Sequence, residues 1–210
     1  MFSDISGLQL LIVLGSMLIA MSTHEAMHAF ASHWLGDDTA HDEGRLTLNP
    51  LKHIDLFTTI LLPVVLIAFG LPPIFAAKPV PFNPNRVKYD EFGVALVGLA
   101  GPLTNLALAC VGALIFRLAP ISSNTVSDVV VIFTLINVSL FVFNMIPFPP
   151  LDGSRVLYAF APEPLQRVMQ SIERLGLTAI LLFVFFLYQF VGPAILNINE
   201  SILRFLLGVS

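Results

Sequence analysis

The chain has 210 residues, of which 56% are hydrophobic and 11% are charged, and its formal net charge is −4. Soluble globular domains carry roughly a quarter charged residues, so this composition excludes an ordinary soluble domain and predicts a membrane protein. Because no run of basic residues of the kind that binds nucleic acid occurs in the sequence, nucleic acid is not an expected partner.

Five apolar segments follow one another along the chain, at residues 8–35, 56–75, 92–118, 126–146 and 175–196. Since about 20 apolar residues are needed for a helix to cross the hydrocarbon core, we predict an all-α membrane protein with a polytopic bundle of about four to five transmembrane helices. The partly charged residues 164–175 are predicted to form an interfacial helix, and residues 198–207 are a candidate for a second one.

The first apolar segment contains ionisable residues at its carboxyl end, where burial in a membrane is costly and indicates a functional site. His24 and His28 are four residues apart, so on a helix both rings can reach one ion at zinc distances of about 2.0 Å. Glu25 is placed to take a proton from a water at the metal rather than to bind the metal. For this motif alone, two histidines bonded to neighbouring carbonyls in a polar bundle core remain an alternative.

The fourth apolar segment ends in the proline-rich run Pro147-Phe148-Pro149-Pro150, which must break the helix. A broken helix at membrane depth is tolerated only where it is buried in protein or lines a cavity. We therefore predict that Asp152 is a third metal ligand and that the Asn144 amide holds a substrate carbonyl or its oxyanion. A proline-rich helix exit at the membrane interface is the alternative. The remaining loop acids are predicted to be solvated surface charges: Asp37, Asp38, Asp42, Glu43, Asp90 and Glu91.

These motifs together resemble the site-2 protease family of intramembrane zinc metalloproteases. The shared elements are His24-Glu25-x-x-His28 in one apolar helix, Asn144-x-x-Pro-x-Pro-x-Leu-Asp152-Gly153 in another, and Gly101-Pro102-x-x-Asn105 between them. The run from Gly44 to Pro50 resembles a segment of compact prokaryotic members. The resemblance covers most of the first 155 residues.

The resemblance implies one Zn²⁺ per chain, bound by His24, His28 and Asp152, with Glu25 as the catalytic base and Asn144 as a substrate or oxyanion contact. It also implies a single transmembrane metalloprotease domain over residues 1–210, with a catalytic core at about 8–155 and the interfacial helix and last span at about 156–210. No appended regulatory domain is expected. Asn105 is expected to make an interhelical amide bond rather than to act in catalysis.

The directions of the membrane helices are constrained by the requirement that Asp152 reach the metal. The first and fourth apolar segments must run parallel, with the third antiparallel between them, so residues 56–90 must leave and re-enter the same face of the membrane. We predict a re-entrant or folded-back element there, with extended strands around residues 78–88 that can pair with substrate backbone.

The positive-inside rule favours an N-terminus outside a prokaryotic plasma membrane, with the zinc nearer the cytoplasmic face. In that orientation the cytoplasmic cations are Arg45, Lys52, Lys78, Arg86, Lys88, Arg155, Arg167 and Arg174. Five simple spans with the N-terminus inside give a weaker charge bias.

The sequence thus predicts an enzyme that hydrolyses peptide bonds in or near transmembrane segments of single-span membrane proteins. A membrane metal-ion transporter and a catalytically inactive binding module are the alternatives. His33 is predicted to be an interfacial histidine, and His41 and His53 to be solvated or capping groups, with His53 a candidate for the cavity mouth.

Overall fold

The computed structural model describes residues 6–55, 78–119 and 123–208, and the regular structure within those ranges is helical. The helices are α1 (Gly7–Trp34), α2 (Thr39–Asp42), α3 (Asp90–Leu118), α4 (Asn124–Asn144), α5 (Asp152–Phe160), α6 (Glu163–Glu173) and α7 (Leu177–Leu207). A π-helical segment, Phe183–Leu187, lies within α7. Single 3₁₀ turns occur at Pro50–Lys52 and Pro84–Arg86.

Four of the described helices, α1, α3, α4 and α7, are long and apolar enough to cross a membrane. The predicted all-α bundle of about four to five transmembrane helices is therefore confirmed. The predicted apolar segment at 56–75 lies outside the described residues. Of the predicted re-entrant element, residues 78–88 are described, and they contain a 3₁₀ turn and no strand.

Local sequence explains where the long helices begin and end. Ser6 caps α1 through a reciprocal pair of hydrogen bonds with Gln9, which satisfies amide groups that have no partner inside the helix. Ser123 caps α4 in the same position. After α4 the prolines at 147, 149 and 150 prevent a continued helix. The chain turns there and starts α5 at Asp152.

Helix α3 is the central element, packed against α1, α4 and α5. Along the α1–α3 contact, His24 meets Asn105 and His28 meets Val97, so the two helices run in opposite directions. Asn105 also meets Asn137 of α4. Later residues of α3 contact earlier residues of α4, so these two helices also run in opposite directions. Hence α1 and α4 are parallel, as the sequence predicted.

The last span is longer than predicted. Residues 198–207 do not form a separate interfacial helix, because α7 continues through Pro193 to Leu207. Its carboxyl-terminal half packs on α3 and α4 around a core of Ala109, Val138 and Val142. Helix α6, predicted at 164–175, is present at Glu163–Glu173.

Candidate metal centre

Three buried side chains converge between α1 and the start of α5. The Nε2 atoms of His24 and His28 are 3.0 Å apart, and Asp152 Oδ2 lies 3.1 Å from the first and 3.3 Å from the second. Three ligands at about 2.0–2.1 Å from one tetrahedral zinc ion are separated by roughly 3.3 Å. The three atoms therefore match three corners of a zinc coordination sphere and leave a fourth corner open.

The other nitrogen of each imidazole has an acceptor that fixes its tautomer. His24 Nδ1 lies 2.6 Å from Asn105 Oδ1, and His28 Nδ1 lies 2.7 Å from the Val97 carbonyl oxygen. Because both partners are oxygens that only accept, each Nδ1 donates its hydrogen and each Nε2 lone pair is left for a metal. The same two bonds fix the orientation of the rings. Each ring thus donates from Nδ1 to a neighbouring oxygen and leaves Nε2 facing the other converging side chains, which is the arrangement that metal-binding histidines adopt.

Gly101 of α3 lies directly against the two imidazoles. A Cβ atom at this position would be 2.5 Å from His28 Nε2 and 2.6 Å from His24 Nε2. Both distances are far below an ordinary van der Waals contact, so a side chain here would occupy the space of the ligand atoms. The absence of a side chain at Gly101 lets the central helix approach the metal centre.

Asn105 connects three helices through one amide group. It is fully buried, and its Nδ2 group donates to Asn137 Oδ1 of α4 at 2.9 Å and to the Ala20 carbonyl of α1 at 3.2 Å, while its oxygen accepts from His24. The predicted interhelical amide bond is present. The sequence reasoning missed its contact with His24, and the signal was available, since a Gly-Pro-x-x-Asn element lies in the helix that packs on the histidines.

Asp152 reaches the histidines because α5 begins at that residue and packs against α3. Gly153 allows the turn, since a Cβ there would collide with the Met145 carbonyl oxygen. Arg155, one turn later, lies 3.9 Å from Asp152 Oδ1 and 4.5 Å from the centre of the Phe82 ring. Arg155 thus lies between the Asp152 carboxylate of α5 and the Phe82 ring of the segment before α3.

Glu25 is adjacent to the three converging side chains but does not join them. Its Oε2 accepts a hydrogen bond of 2.9 Å from the Val80 amide. A cavity of about 360 Å³ contains His24, His28 and Asp152 in its wall together with Glu25 and Asn144. The five residues singled out in the sequence thus share one cavity. Asn144 donates from Nδ2 to the Leu140 carbonyl, one turn back in α4.

One prediction about the polar stretch after α1 was wrong, and another is decided between its two alternatives. Asp37 is not a solvated charge: it is fully buried and accepts hydrogen bonds from the Thr39 amide and hydroxyl and from the Asn83 amide. His53 was predicted to be solvated or capping: it is not solvated, because it is 2% exposed and bonded to the Thr47 carbonyl oxygen, and it stands at the carboxyl-terminal cap of the 3₁₀ turn Pro50–Lys52. The Asn83 amide that reaches Asp37 is 46 residues away along the chain, so local sequence does not show that this carboxylate is buried.

The other histidines lie away from the metal centre. His33 is bonded to Asp38 at 2.6 Å, and its ring stacks on that of His41 at 5.7 Å. Asp38, Asp42, Glu43, Asp90 and Glu91 are exposed, as predicted. Among the residues that the structure describes, His24, His28 and Asp152 form the one group of three or more ionisable side chains close enough to share an ion.

The apolar helical bundle has a buried site with two imidazoles and a carboxylate, and one coordination position of that site is left open. This combination is typical of a membrane-embedded metallohydrolase. The family model described as Peptidase family M50 matches residues 114–187, which include Asn144 and Asp152. A Bacillus subtilis (strain 168) protein named "Putative zinc metalloprotease YwhC" is 35% identical over 85% of this chain and 79% of its own length. No solved structure was found to match the chain.

Two mycobacterial proteins named "Putative zinc metalloprotease Rip2" are also similar. The one from Mycolicibacterium smegmatis is 28% identical over 79% of this chain and 63% of its own length. The one from Mycobacterium tuberculosis (strain H37Rv) is 29% identical over 87% of this chain and 68% of its own length. The chain belongs to peptidase family M50, the site-2 protease family. It is an integral membrane zinc metalloprotease, and its substrates are proteins.

Proposed function

We propose that this chain is an intramembrane protease that hydrolyses peptide bonds in or near the transmembrane segments of single-span membrane proteins, in regulated intramembrane proteolysis. His24, His28 and Asp152 hold its zinc ion, and Glu25 is the catalytic base. The observation that carries the proposal is the placement of three converging ligand atoms between helices long and apolar enough to span a bilayer. A site at that depth meets substrate backbone that a soluble protease cannot reach.

A zinc ion held there supplies Lewis-acid polarisation of the scissile carbonyl and of the attacking water. The chain's own residues move the proton. The Glu25 carboxylate lies in the wall of the same cavity as the three ligands and accepts a proton from the attacking water. It then passes that proton to the leaving nitrogen as the peptide bond breaks, so that the products are a carboxylic acid and an amine, which exchange a proton at neutral pH to give a carboxylate and an ammonium group.

Asn144 is proposed to contact the substrate carbonyl. A side-chain amide has two N–H donors, and one of those of Asn144 is directed to the Leu140 carbonyl oxygen at 3.0 Å. The second N–H is available for the oxygen on which negative charge develops during hydrolysis. The bond to Leu140 orients the amide, because it fixes the side chain against its own helix.

The substrate must present an unwound segment. A helix in a membrane satisfies its own carbonyl groups, so an attack on a peptide bond requires local loss of helical hydrogen bonds. A span that contains glycine or proline loses these bonds at lower cost. We propose that such an unwound segment passes residues 78–83 of the enzyme, because Pro79 and Val80 lie in the cavity wall.

The orientation proposed from the charges places the N-terminus outside a prokaryotic plasma membrane and the zinc nearer the cytoplasm. The structure gives this proposal support in the loop after α1, where Arg45 is bonded to the Lys78 carbonyl. The cations at 45 and 78 therefore lie at the same end of the bundle. A cysteine scan of α1 and its flanks with membrane-impermeant label tests the orientation.

Two variants test the proposed function. Glu25→Gln removes the base and leaves the ligand atoms, so zinc content should be retained and cleavage of a doubly tagged single-span reporter with glycine and proline in its span should be lost. Glu43→Gln, the same substitution at an exposed acid on the loop after α1, should cleave normally. Cleavage by Glu25→Gln at the wild-type rate would refute the proposal.

A metal-ion transporter needs further sites along a path through the bundle. Within the described ranges no second group of three or more His, Cys, Asp or Glu side chains is close enough to share an ion. The geometry therefore favours hydrolysis over transport.

A further inference from the structure

The Glu25 carboxylate is held by a backbone amide from a segment that is distant in sequence. Val80 donates its N–H to Glu25 Oε2 at 2.9 Å across 55 residues of chain. Pro79 and Pro81 on either side have no N–H, so Val80 supplies the one amide hydrogen in this three-residue stretch. The position of the carboxylate thus depends on the position of one peptide unit.

The segment is anchored immediately upstream of that peptide unit. The Arg45 Nη2 atom donates to the Lys78 carbonyl oxygen at 2.7 Å, and the Lys78 amide donates to the His53 carbonyl oxygen at 2.9 Å. Arg45 is 4% exposed and His53 is 2% exposed. Both backbone groups of Lys78, two residues before Val80, are therefore fixed by two buried residues of the loop after α1.

A second anchor lies downstream. The Asn83 amide donates to Asp37 Oδ2 at 2.6 Å, and the other oxygen of Asp37 accepts from Thr39. Since the segment is tied three residues after Val80 as well as two residues before it, little freedom is left for the Val80 peptide to move along the cavity wall. These anchors come from the polar stretch after α1, to which the proposed reaction assigns no direct role.

We propose that Arg45 is a positioning residue for the catalytic base. Its guanidinium holds the Lys78 carbonyl, which fixes the Val80 amide, and this amide in turn holds the Glu25 carboxylate beside the metal centre. The inference rests on the proposed role of Glu25 and assigns a function to the loop at residues 45–53. A hydrogen bond to an ionised carboxylate is roughly twice as strong as a neutral one, so its loss leaves the carboxylate free to adopt other rotamers.

The arrangement predicts an effect on turnover rather than on metal binding. Arg45 makes no contact with His24, His28 or Asp152 among its described hydrogen bonds. A misplacement of about 1 Å in a reacting group lowers rates by on the order of 100-fold. Arg45→Met should therefore lower kcat by about 10- to 100-fold, while zinc content and KM remain close to those of the wild type.

The matched control is Arg86→Met, the same substitution at an exposed arginine of the segment before α3. Activity is measured on the doubly tagged single-span reporter and on fluorescently labelled casein, an unfolded protein with exposed carbonyl groups. Arg86→Met should retain wild-type kcat. A normal kcat for Arg45→Met, or a loss of zinc that accounts for its lower activity, would overturn the inference.

A second pair of variants tests the same link without touching Arg45. Val80→Pro removes the N–H that Glu25 accepts, whereas Val80→Ala keeps it, so kcat should fall in the first and be retained in the second. The double variant should have a kcat within about twofold of that of Val80→Pro alone, because Arg45→Met and Val80→Pro break the same chain of contacts. Full additivity, or a normal kcat for Val80→Pro, would overturn the inference even if Arg45→Met failed to fold.

The outcomes also separate this inference from the proposed function. If Glu25→Gln is inactive and Arg45→Met is fully active, the base stands and the positioning role fails. If Glu25→Gln is active, the proposed function fails with it.

Discussion

Replacement of Gly101 by alanine is the sharpest test of the metal centre. The new methyl group would be 2.5 Å from His28 Nε2 and 2.6 Å from His24 Nε2, whereas nonbonded heavy atoms are stable at about 3.5 Å or more. The rings must therefore retreat by roughly 1 Å. They are held by Nδ1 bonds to Asn105 and Val97, so the retreat strains those bonds or displaces α3.

Overpacking of this kind costs about 1–3 kcal/mol. If the strain is borne by the ligand atoms, zinc affinity should fall by about 5- to 150-fold, since about 1.4 kcal/mol corresponds to a factor of ten. The assay is competition between the purified protein and a chromogenic chelator of known zinc affinity, with zinc content measured after gel filtration. Protease activity at limiting zinc should fall in parallel and recover at higher zinc.

Two further glycines serve as controls. Gly112→Ala, in the same helix, places a Cβ against the Thr134 side chain and far from the ligands, so it should lower thermal stability without lowering zinc affinity. Gly15→Ala has nothing within 4 Å of its Cβ and should be neutral or slightly stabilising. Wild-type zinc affinity in Gly101→Ala, or equal losses in Gly101→Ala and Gly112→Ala, would refute the reasoning.

Three other predictions concern the same fold. Asn105→Ala removes the acceptor of His24 Nδ1 and should weaken zinc binding by about 10- to 100-fold in chelator competition, and an unchanged affinity would contradict the orienting role. Asp152→Ala should no longer bind one zinc ion per chain. The control is Asp128→Ala, which changes an acid outside the cavity and should retain the zinc. Asp37→Ala leaves the Asn83 and Thr39 donors unpaired and should cost about 1–3 kcal/mol of stability. The loss should appear as a lower midpoint of thermal unfolding in detergent, and the control Asp38→Ala should not lower that midpoint.

The sequence predicted most of the bundle because its signals are strong there. A membrane helix needs a long apolar run, so α1, α3 and α4 could be located within a few residues, and the proline-rich run marked the end of α4, whereas the short helix α5 was not predicted. The parallel arrangement of α1 and α4 followed from requiring His24 and Asp152 to meet, and the structure shows it.

The environment of the site could not be predicted in the same way. Three features depend on backbone groups from distant segments: Asp37 is buried, Arg45 is bonded to the Lys78 carbonyl, and the Val80 amide donates to Glu25. A backbone amide has no sequence signature, so a contact that it makes with a side chain is visible only in three dimensions. The continuation of α7 to Leu207 was missed because polar residues near position 198 suggested an end to the apolar helix.

The two halves of the metal centre are 128 residues apart in sequence, from His24 to Asp152. During synthesis, α1 enters the membrane long before the residue that completes the ligand set exists. A nascent chain therefore has no complete site until three later helices, α3, α4 and the start of α5, have been made and packed. An ion bound at the proposed site would join the beginning of the chain to its third quarter, so metal binding would require that α1 and α5 have already packed together.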